Sequence, residues 1–215
     1  MSPPFAAPLI LTLAAVLSVW AHADEIPLAT QPTPATESPA LTARPSVLTG
    51  PQLAPLQAQA FGEIYASTCI QHLTQLETLR DKLQTIPKLP VEQAQGFLAG
   101  RAGDAWAVPN PHGQFVLALP AQTPGCAVYA QRADTAAARQ QFDDLVAHAP
   151  QPLKARKVSD QDTPNPRHGV TRTVVYEWAA EGSPRKMVFT LSTAASPSAP
   201  LQAVATAVMV SQPSR

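Results

Sequence analysis

The sequence is short of charged residues and of cysteine, and each shortage excludes a class of function. Charged residues make up 14% of the 215 residues, and the 15 basic and 15 acidic residues cancel. Because no net field of either sign results, nucleic acid and anionic membrane surfaces are not expected partners. The 2 cysteines do not form a CxxC pair. A thiol–disulfide active site is therefore not expected.

The sequence also lacks the usual motifs of catalysis and metal binding. No GxSxG or GxxxxGK[ST] motif occurs, and the acidic pairs Asp143–Asp144 and Asp160–Asp162 fit solvated surface positions. Four histidines lie after residue 23: His72, His112, His148 and His168. No two of them are three or four positions apart, the spacing at which neighbouring histidines on a helix bind a metal. We therefore predict no metal, no cofactor and no catalytic residue, and the sequence favours a non-enzymatic protein.

The first 23 residues have the organisation of a signal peptide. An uncharged apolar run from Phe5 to Trp20 is followed by Ala21-His22-Ala23, a small-x-small cleavage sequence. The alternative is an uncleaved anchor, but the run is shorter than the roughly 20 apolar residues of a membrane span. We expect residues 1–23 to be removed, the mature chain to begin at Asp24, and no later segment to span a membrane.

Proline is abundant, at 24 residues, and it is concentrated before and between the periodic segments. Residues 24–56 contain no aromatic residue and no sustained periodicity, which predicts a disordered, proline-rich linker. A docking strip for a proline-reading partner is the alternative. A single domain is expected over residues 57–212.

That domain is predicted to be built around the stretch from Phe61 to Ile86. This stretch is expected to form a long amphipathic helix, with its ends at about Gln57 and Gln84. Apolar residues recur every three or four positions, at Phe61, Tyr65, Cys69, Leu73, Leu76, Leu79 and Leu83. Pro87 and Pro90 end the pattern. A short second helix, residues 91–99, is expected to pack its Phe97 and Leu98 beneath the first helix.

From Asp104 the pattern changes to the alternation of β-strands. DAWAV, QFVLAL and CAVYAQR predict three strands, and Asp134 is placed to cap the helix that follows them. KARKVSD is a candidate edge strand, QDTPNPRHG is expected to be a loop, and TRTVVYEWA with KMVFTLS predicts a hairpin. The final LQAVATAVMVS is expected to be a strand covered on both faces. The predicted fold is α+β, with about six antiparallel strands, the long N-terminal helix and the mid-chain helix.

The two cysteines are predicted to form a disulfide, because an exported chain folds in an oxidising compartment. A bond between Cys69 and Cys126 would hold the long helix on the third strand. It would turn Cys126 and Val128 inward and Tyr129 outward. Two buried free thiols are the alternative.

The order of these features resembles an uncharacterised family of small exported proteobacterial proteins. The resemblance rests on Cys69, Trp106 in GDAWAV, FVLAL, the Gly125-Cys126 strand and the helix with Phe142. It covers Phe61 to Val146. It implies the fold, an exported location and the disulfide, and no activity.

Two sets of residues are candidate binding surfaces. An exposed row of aromatic residues on strands could hold a ligand, although core positions are the alternative, and its members are Trp106, Tyr129, Tyr176 and Trp178. A basic patch could meet anionic glycans or lipid headgroups, although a charge-guarded edge strand is the alternative, and it comprises Lys154, Arg156, Lys157, Arg167 and Arg172.

The sequence therefore favours a periplasmic or cell-surface accessory or binding module with a protein or cell-envelope partner. A small hydrolase or hydrolase inhibitor, whose histidines and carboxylates meet only in three dimensions, is one alternative. A structural tether that keeps the signal segment is another. Because the helix stripe is needed for packing, the functional surface is expected on the opposite face of the sheet or after Lys154.

Overall fold

A computed structural model describes residues 50–166 and 169–211, which lie in one compact unit. The predicted signal peptide, residues 24–49 of the predicted linker, Arg167 and His168 lie outside the described residues. The helices are α1 (Gly50–Tyr65), α2 (Leu76–Lys82), α3 (Val91–Leu98) and α4 (Thr135–Val146). The strands are β1 (Gly103–Val108), β2 (Phe115–Pro120), β3 (Gly125–Ala130), β4 (Lys154–Asn165), β5 (Gly169–Ala179), β6 (Arg185–Ala194) and β7 (Ala203–Ser211).

The predicted α+β class is confirmed, with seven strands where about six were expected. All pairings are antiparallel, and the strand order is β1-β2-β3-β7-β6-β5-β4. The prediction of a loop at Gln161–Asn165 was wrong, because β4 continues along β5 until Asn165 lies opposite Gly169. Cross-strand pairing overrides the weak strand propensity of this polar segment, and the ion pair between Arg172 and Asp160 supports it.

One face of the sheet, called the inner face, is packed against α1 and α4. Its largest fully buried side chains include Phe61 and Tyr65 from α1, Val146 from α4 and Phe115 and Phe189 from the sheet. Asp134 accepts a hydrogen bond from the amide of Ala137 at 2.8 Å, so the predicted cap of α4 is confirmed.

The expected continuous helix from Phe61 to Ile86 is interrupted. The α-helix gives way to a π-helical segment at Ala66–Ile70, and Gln75, at φ −142° and ψ 53°, separates this segment from α2. The hydroxyls of Ser67 and Thr68 donate to carbonyls one turn earlier, at 2.7 and 2.5 Å, a bonding mode that perturbs the helical ladder. The apolar spacing gave the buried side correctly but not the continuity.

The start of this helical region also differs from the prediction. The first helix begins at Gly50 instead of Gln57, so the expected boundary between linker and domain lies inside α1. Pro55 is accommodated within the helix. The side chains that follow it pack against the sheet, and this burial outweighs the composition that predicts a linker.

The Cys69–Cys126 disulfide is present, with the two Cα atoms 5.3 Å apart. It joins the π-helical segment to β3, and both residues are almost fully buried, at 0% and 2% exposure. Val128 is buried beside Cys126, and Tyr129 points to the other face, as predicted. The bond therefore links the helical layer to an interior strand of the sheet.

The second face of the sheet, called the outer face, is covered over β1–β3 by α3. Leu98 packs there with Ala105 and Ala118, and Phe97 packs against Tyr129. The expectation that Phe97 and Leu98 lie beneath the first helix was therefore wrong. Pro87 and Pro90 end the helical region before the chain reaches the edge of β1, and α3 follows on the other side.

The last strand differs from the prediction as well. In β7, Ala203, Ala205 and Ala207 are buried on the inner face, while alternate residues are only partly buried. A strand covered on both faces was expected from its apolar composition. The outer face of β7 instead lies beyond the reach of α3, whose apolar contacts are confined to β1–β3.

Candidate functional site

Three of the four aromatic residues considered as a ligand face are core residues on the inner face, which is the alternative that the sequence left open. Trp178 donates its indole N–H to the carbonyl of Val146 at 2.6 Å, and its ring centroid lies 4.5 Å from that of Phe189, with the two rings tilted by 58°. Tyr176 packs edge-on against a phenylalanine of α4. Trp106 is 1% exposed. These residues hold the helices on the sheet.

The fourth aromatic residue, Tyr129, lies on the outer face beneath α3. Its hydroxyl donates to the carbonyl of Phe97 at 2.5 Å, and the two rings are 5.1 Å apart. Burial raises the pKa of Tyr129. The structure therefore splits the four aromatic residues between two faces, both of which are covered where these residues lie.

The described members of the predicted basic patch are paired with carboxylates. Lys154 contacts Glu181 at 3.4 Å, and Arg156 contacts Glu177 at 2.6 Å. Lys157 lies 3.4 Å from Asp143, and Arg172 donates to Asp160 at 2.7 Å. The segment is thus a network of ion pairs on β4 and β5 instead of a surface of free cations.

A cleft of about 480 Å³ lies where α4 meets the inner side of β4 and β5. Ionic side chains line it, and the residues are Ala136, Arg139, Gln140, Asp143, Asp144, Asp160, Arg172 and Val174. No histidine lines this cleft in the described residues, so it does not join histidine to carboxylates as the hydrolase alternative requires.

The electrostatics of this cleft favour fixed charges. The hydrogen bond from Arg172 holds the pKa of Asp160 below its usual value, and burial raises the pKa of Tyr176. A hydrogen bond to Tyr176 is the largest cause of the raised pKa of Lys157. Shifts of these signs keep the lysine and the aspartate ionised and the phenol neutral near pH 7. An efficient acid–base catalyst instead has a pKa near the working pH.

A second cleft, of about 560 Å³, lies between the helix break after Leu73 and the loop from Pro120 to Pro124. Arg80 lies on its wall and donates to Asp104 at 3.0 Å and to the carbonyls of Leu119 and Pro120 at 3.2 and 3.0 Å. This arginine joins α2 to the β1–β2 pair. Its hydrogen bonds make it a structural cross-link.

The outer face of β4–β7 carries no helix in the described part of the chain. The residues that alternate with the buried ones along these strands face this side. They are mostly valine, threonine and serine: Ser159, Gln161, Thr173, Val175, Val188, Thr190, Ser192, Val204, Thr206, Val208 and Val210. Thr173 and Ser192 share a hydrogen bond of 3.1 Å across β5 and β6.

Charge on this outer face is gathered at one margin. Glu177 of β5 accepts hydrogen bonds from Lys186 of β6 and Arg156 of β4. These two cations, Lys186 foremost, hold the pKa of Glu177 below its usual value. The centre of the face, from Thr173 to Val208, therefore offers hydroxyl and aliphatic groups without formal charge.

Neither a metal-binding cluster nor a membrane-spanning helix is present in the described residues. No group of three or more histidine, cysteine, aspartate or glutamate side chains there is arranged to hold a metal ion. No helix in residues 50–166 and 169–211 is long and apolar enough to cross a membrane.

Comparison of the chain with protein-family models, curated proteins and solved structures gives no match.

Sequence reasoning indicated the outer face only in general terms. The alternation in KMVFTLS separates Val188, Thr190 and Ser192 from the buried Phe189 and Leu191, so the two sides of β6 were readable. The sequence did not predict which strands α3 covers, because the periodicity of a helix does not identify the strands on which it packs.

Proposed function

We propose that this chain is an exported, disulfide-stabilised, non-enzymatic binding module, and that the outer face of β4–β7 contacts a protein partner in the periplasm or at the cell surface. One observation carries the proposal: α3 covers the outer face over β1–β3 and leaves β4–β7 without a helix in the described residues. A water-facing side of an antiparallel sheet is ordinarily polar. Valine, threonine and serine dominate here.

Export is supported by three features of the chain. Residues 1–23 have the order of a signal peptide, and the Cys69–Cys126 bond is of the kind that persists in oxidising compartments. The resemblance to small exported proteobacterial proteins agrees with this location. A protein partner of the cell envelope follows from the location together with the uncharged centre of the outer face.

Binding is favoured over catalysis by the state of the polar groups. In the two described clefts, Arg172 is committed to an ion pair with Asp160, and Arg80 is committed to Asp104 and to backbone carbonyls. Substrate chemistry requires groups that can exchange protons or attack, in contact with open space. The outer face of β4–β7 instead presents aliphatic side chains and hydroxyl groups, which suit the binding of a protein partner.

The location is tested by fractionating cells that express the natural chain. We expect the protein in the periplasm or the medium, a mass that corresponds to a first residue of Asp24, and no thiol labelling under denaturing, non-reducing conditions. A cytoplasmic chain that begins at Met1 and labels at both cysteines would refute export.

The binding face is tested by photo-crosslinking in the native compartment. A photoreactive residue replaces Thr190, at the centre of the outer face, and in a matched variant it replaces Gln140, an exposed residue of α4. We expect one defined protein adduct from position 190 and none from position 140. We also expect Val188→Lys to abolish the adduct without changing the melting temperature. Equal adducts from both positions, or none from position 190, would refute the assignment.

A further inference from the structure

The free edge of the sheet at β4 provides a second interaction surface. β4 is the last strand in the sheet order and pairs on one side with β5 along its length except at Val158, and no strand of the described chain pairs with its other side. An edge strand presents a row of backbone N–H and C=O groups that can template another strand. The edge at β1 is partly occupied, because Lys88 bridges to Trp106 and the Leu89 amide donates to the carbonyl of Ala105 at 2.8 Å.

The order of charges along β4 is self-complementary. Its first half carries Lys154, Arg156 and Lys157, and its second half carries Asp160 and Asp162. A second copy that runs antiparallel reverses this order and sets each basic half against an acidic half. A parallel copy would instead align like charges, which are destabilising when directly opposite. The charges on this edge therefore oppose indiscriminate pairing and permit one orientation with a second copy.

The faces of the side chains define a register for that pairing. Lys157 and Asp160 lie opposite Tyr176 and Val174 of β5, which are both core residues, so both point to the inner side. Directly opposed residues of antiparallel strands point to the same side. A two-fold axis between Val158 and Ser159, perpendicular to the sheet, sets Lys157 of each copy opposite Asp160 of the other.

Val158 marks the centre of this arrangement. It lies in an irregularity between Lys157 and Ser159, has no partner residue in β5, and is 44% exposed. Of the described large hydrophobic residues only Val91, Val158 and Val170 are exposed, and Val158 is the one on the free edge. Pairing about the axis brings the two Val158 residues close together and covers them.

We propose that two copies of this chain associate through antiparallel pairing of β4 with β4. Such a contact buries less than the ~1,200 Å² of a stable interface, so the dimer is reversible. The two sheets become one, and the axis keeps both outer faces on the same side. The dimer presents two copies of the outer face at a fixed spacing, which strengthens binding to a partner with two sites. Dimerisation itself does not depend on the proposed binding function.

Light scattering coupled to size-exclusion chromatography tests the proposal on the natural exported chain. We expect a mass that rises toward twice that of one chain as the concentration increases from about 10 μM to about 1 mM. Val158→Glu and Val158→Lys place like charges beside the axis, and each variant alone is expected to stay at the mass of one chain. An equimolar mixture of the two variants is expected to recover the dimer, because opposite charges then meet.

Val91→Glu is the matched control, since Val91 is 68% exposed on α3 and away from β4. This variant is expected to dimerise like the natural chain. The proposal is overturned if the natural chain has the mass of one chain throughout, if Val158→Glu leaves the dimer intact, or if the mixed variants fail to associate. A further outcome would also overturn the proposal. In it, the chain stays monomeric, and amide exchange along β4 slows only when a foreign extended peptide is added.

Discussion

At the charged margin of the outer face, Glu177 is held between cations of two neighbouring strands, Arg156 of β4 and Lys186 of β6. Its side chain is only 13% exposed, so the hydrogen bonds replace much of its hydration. Because its folded pKa is lowered, Glu177 contributes stability above its ordinary pKa of 4.5, and this contribution is lost as the pH falls through the folded pKa.

Replacing this carboxylate should alter the dependence of stability on pH. We expect Glu177→Gln to lower the free energy of unfolding at pH 7 by about 1 kcal/mol and to have little effect near about pH 3. Urea titrations at the two pH values measure both quantities. Glu181→Gln is the control, because that carboxylate is 90% exposed and contacts Lys154 at 3.4 Å. An equal loss at both pH values would contradict the ionic account.

The disulfide between Cys69 and Cys126 is expected to contribute more to the free energy of unfolding than Glu177 does. Cys69 and Cys126 are separated by 57 residues in sequence. A bond that closes a loop of this length lowers the conformational entropy of the unfolded chain. We expect Cys69→Ala with Cys126→Ala to lower the free energy of unfolding by up to about 4 kcal/mol. Urea unfolding measures this loss. A reductant should lower the midpoint of the natural chain and leave that of the double variant unchanged, and equal midpoints without reductant would contradict the prediction.

At the scale of elements, α3 is the least extensively packed of the longer helices. Its buried contacts are a small cluster with β1–β3, and Tyr129 adds a hydrogen bond to the Phe97 carbonyl. α1 and α4 instead share the large inner core. Helices with few buried contacts open locally at lower free energy, so α3 should exchange its amides before the other two.

Removing the Tyr129 hydroxyl should loosen α3 selectively. We expect Tyr129→Phe to speed amide exchange of α3 by roughly fivefold, because a hydrogen bond of about 1 kcal/mol is lost. Hydrogen exchange with mass spectrometry resolves α3 from β6, whose exchange should not change. Uniform acceleration in every element would show global destabilisation instead.

The elements also show where sequence reasoning succeeds and fails. Strong alternation and turn residues gave β1–β3 and β5–β7, and the Asp134 cap gave the start of α4, because these signals are local. The break at Gln75 and the length of β4 were missed. Side chain to backbone hydrogen bonds of Ser67 and Thr68 accompany the π-helical segment before the break, and pairing with β5 extends β4. Neither effect leaves a periodic signal.

For the whole molecule, the two faces of the sheet have different roles. The inner face, with α1 and α4 on it, contains the core and the disulfide. The outer face of β4–β7 is the proposed binding surface. Sequence reasoning left two places for the functional surface, the face of the sheet opposite the helix and the segment after Lys154, and it left open whether the aromatic residues form a ligand face or the core. Trp106, Tyr176 and Trp178 are consumed by packing, as large side chains on strands usually are.

The position of β7 has a consequence for how the chain matures. β1–β3 and β4–β6 each contain neighbours in sequence, so each group of strands can pair early, with short loops to close. Among the strand pairings of the described residues, only those of β7 with β3 and with β6 join the two groups. Until Ala203–Ser211 has been synthesised, β3 and β6 each lack one neighbouring strand beside an unfinished core. The nascent chain is therefore most prone to aggregate just before its last strand arrives.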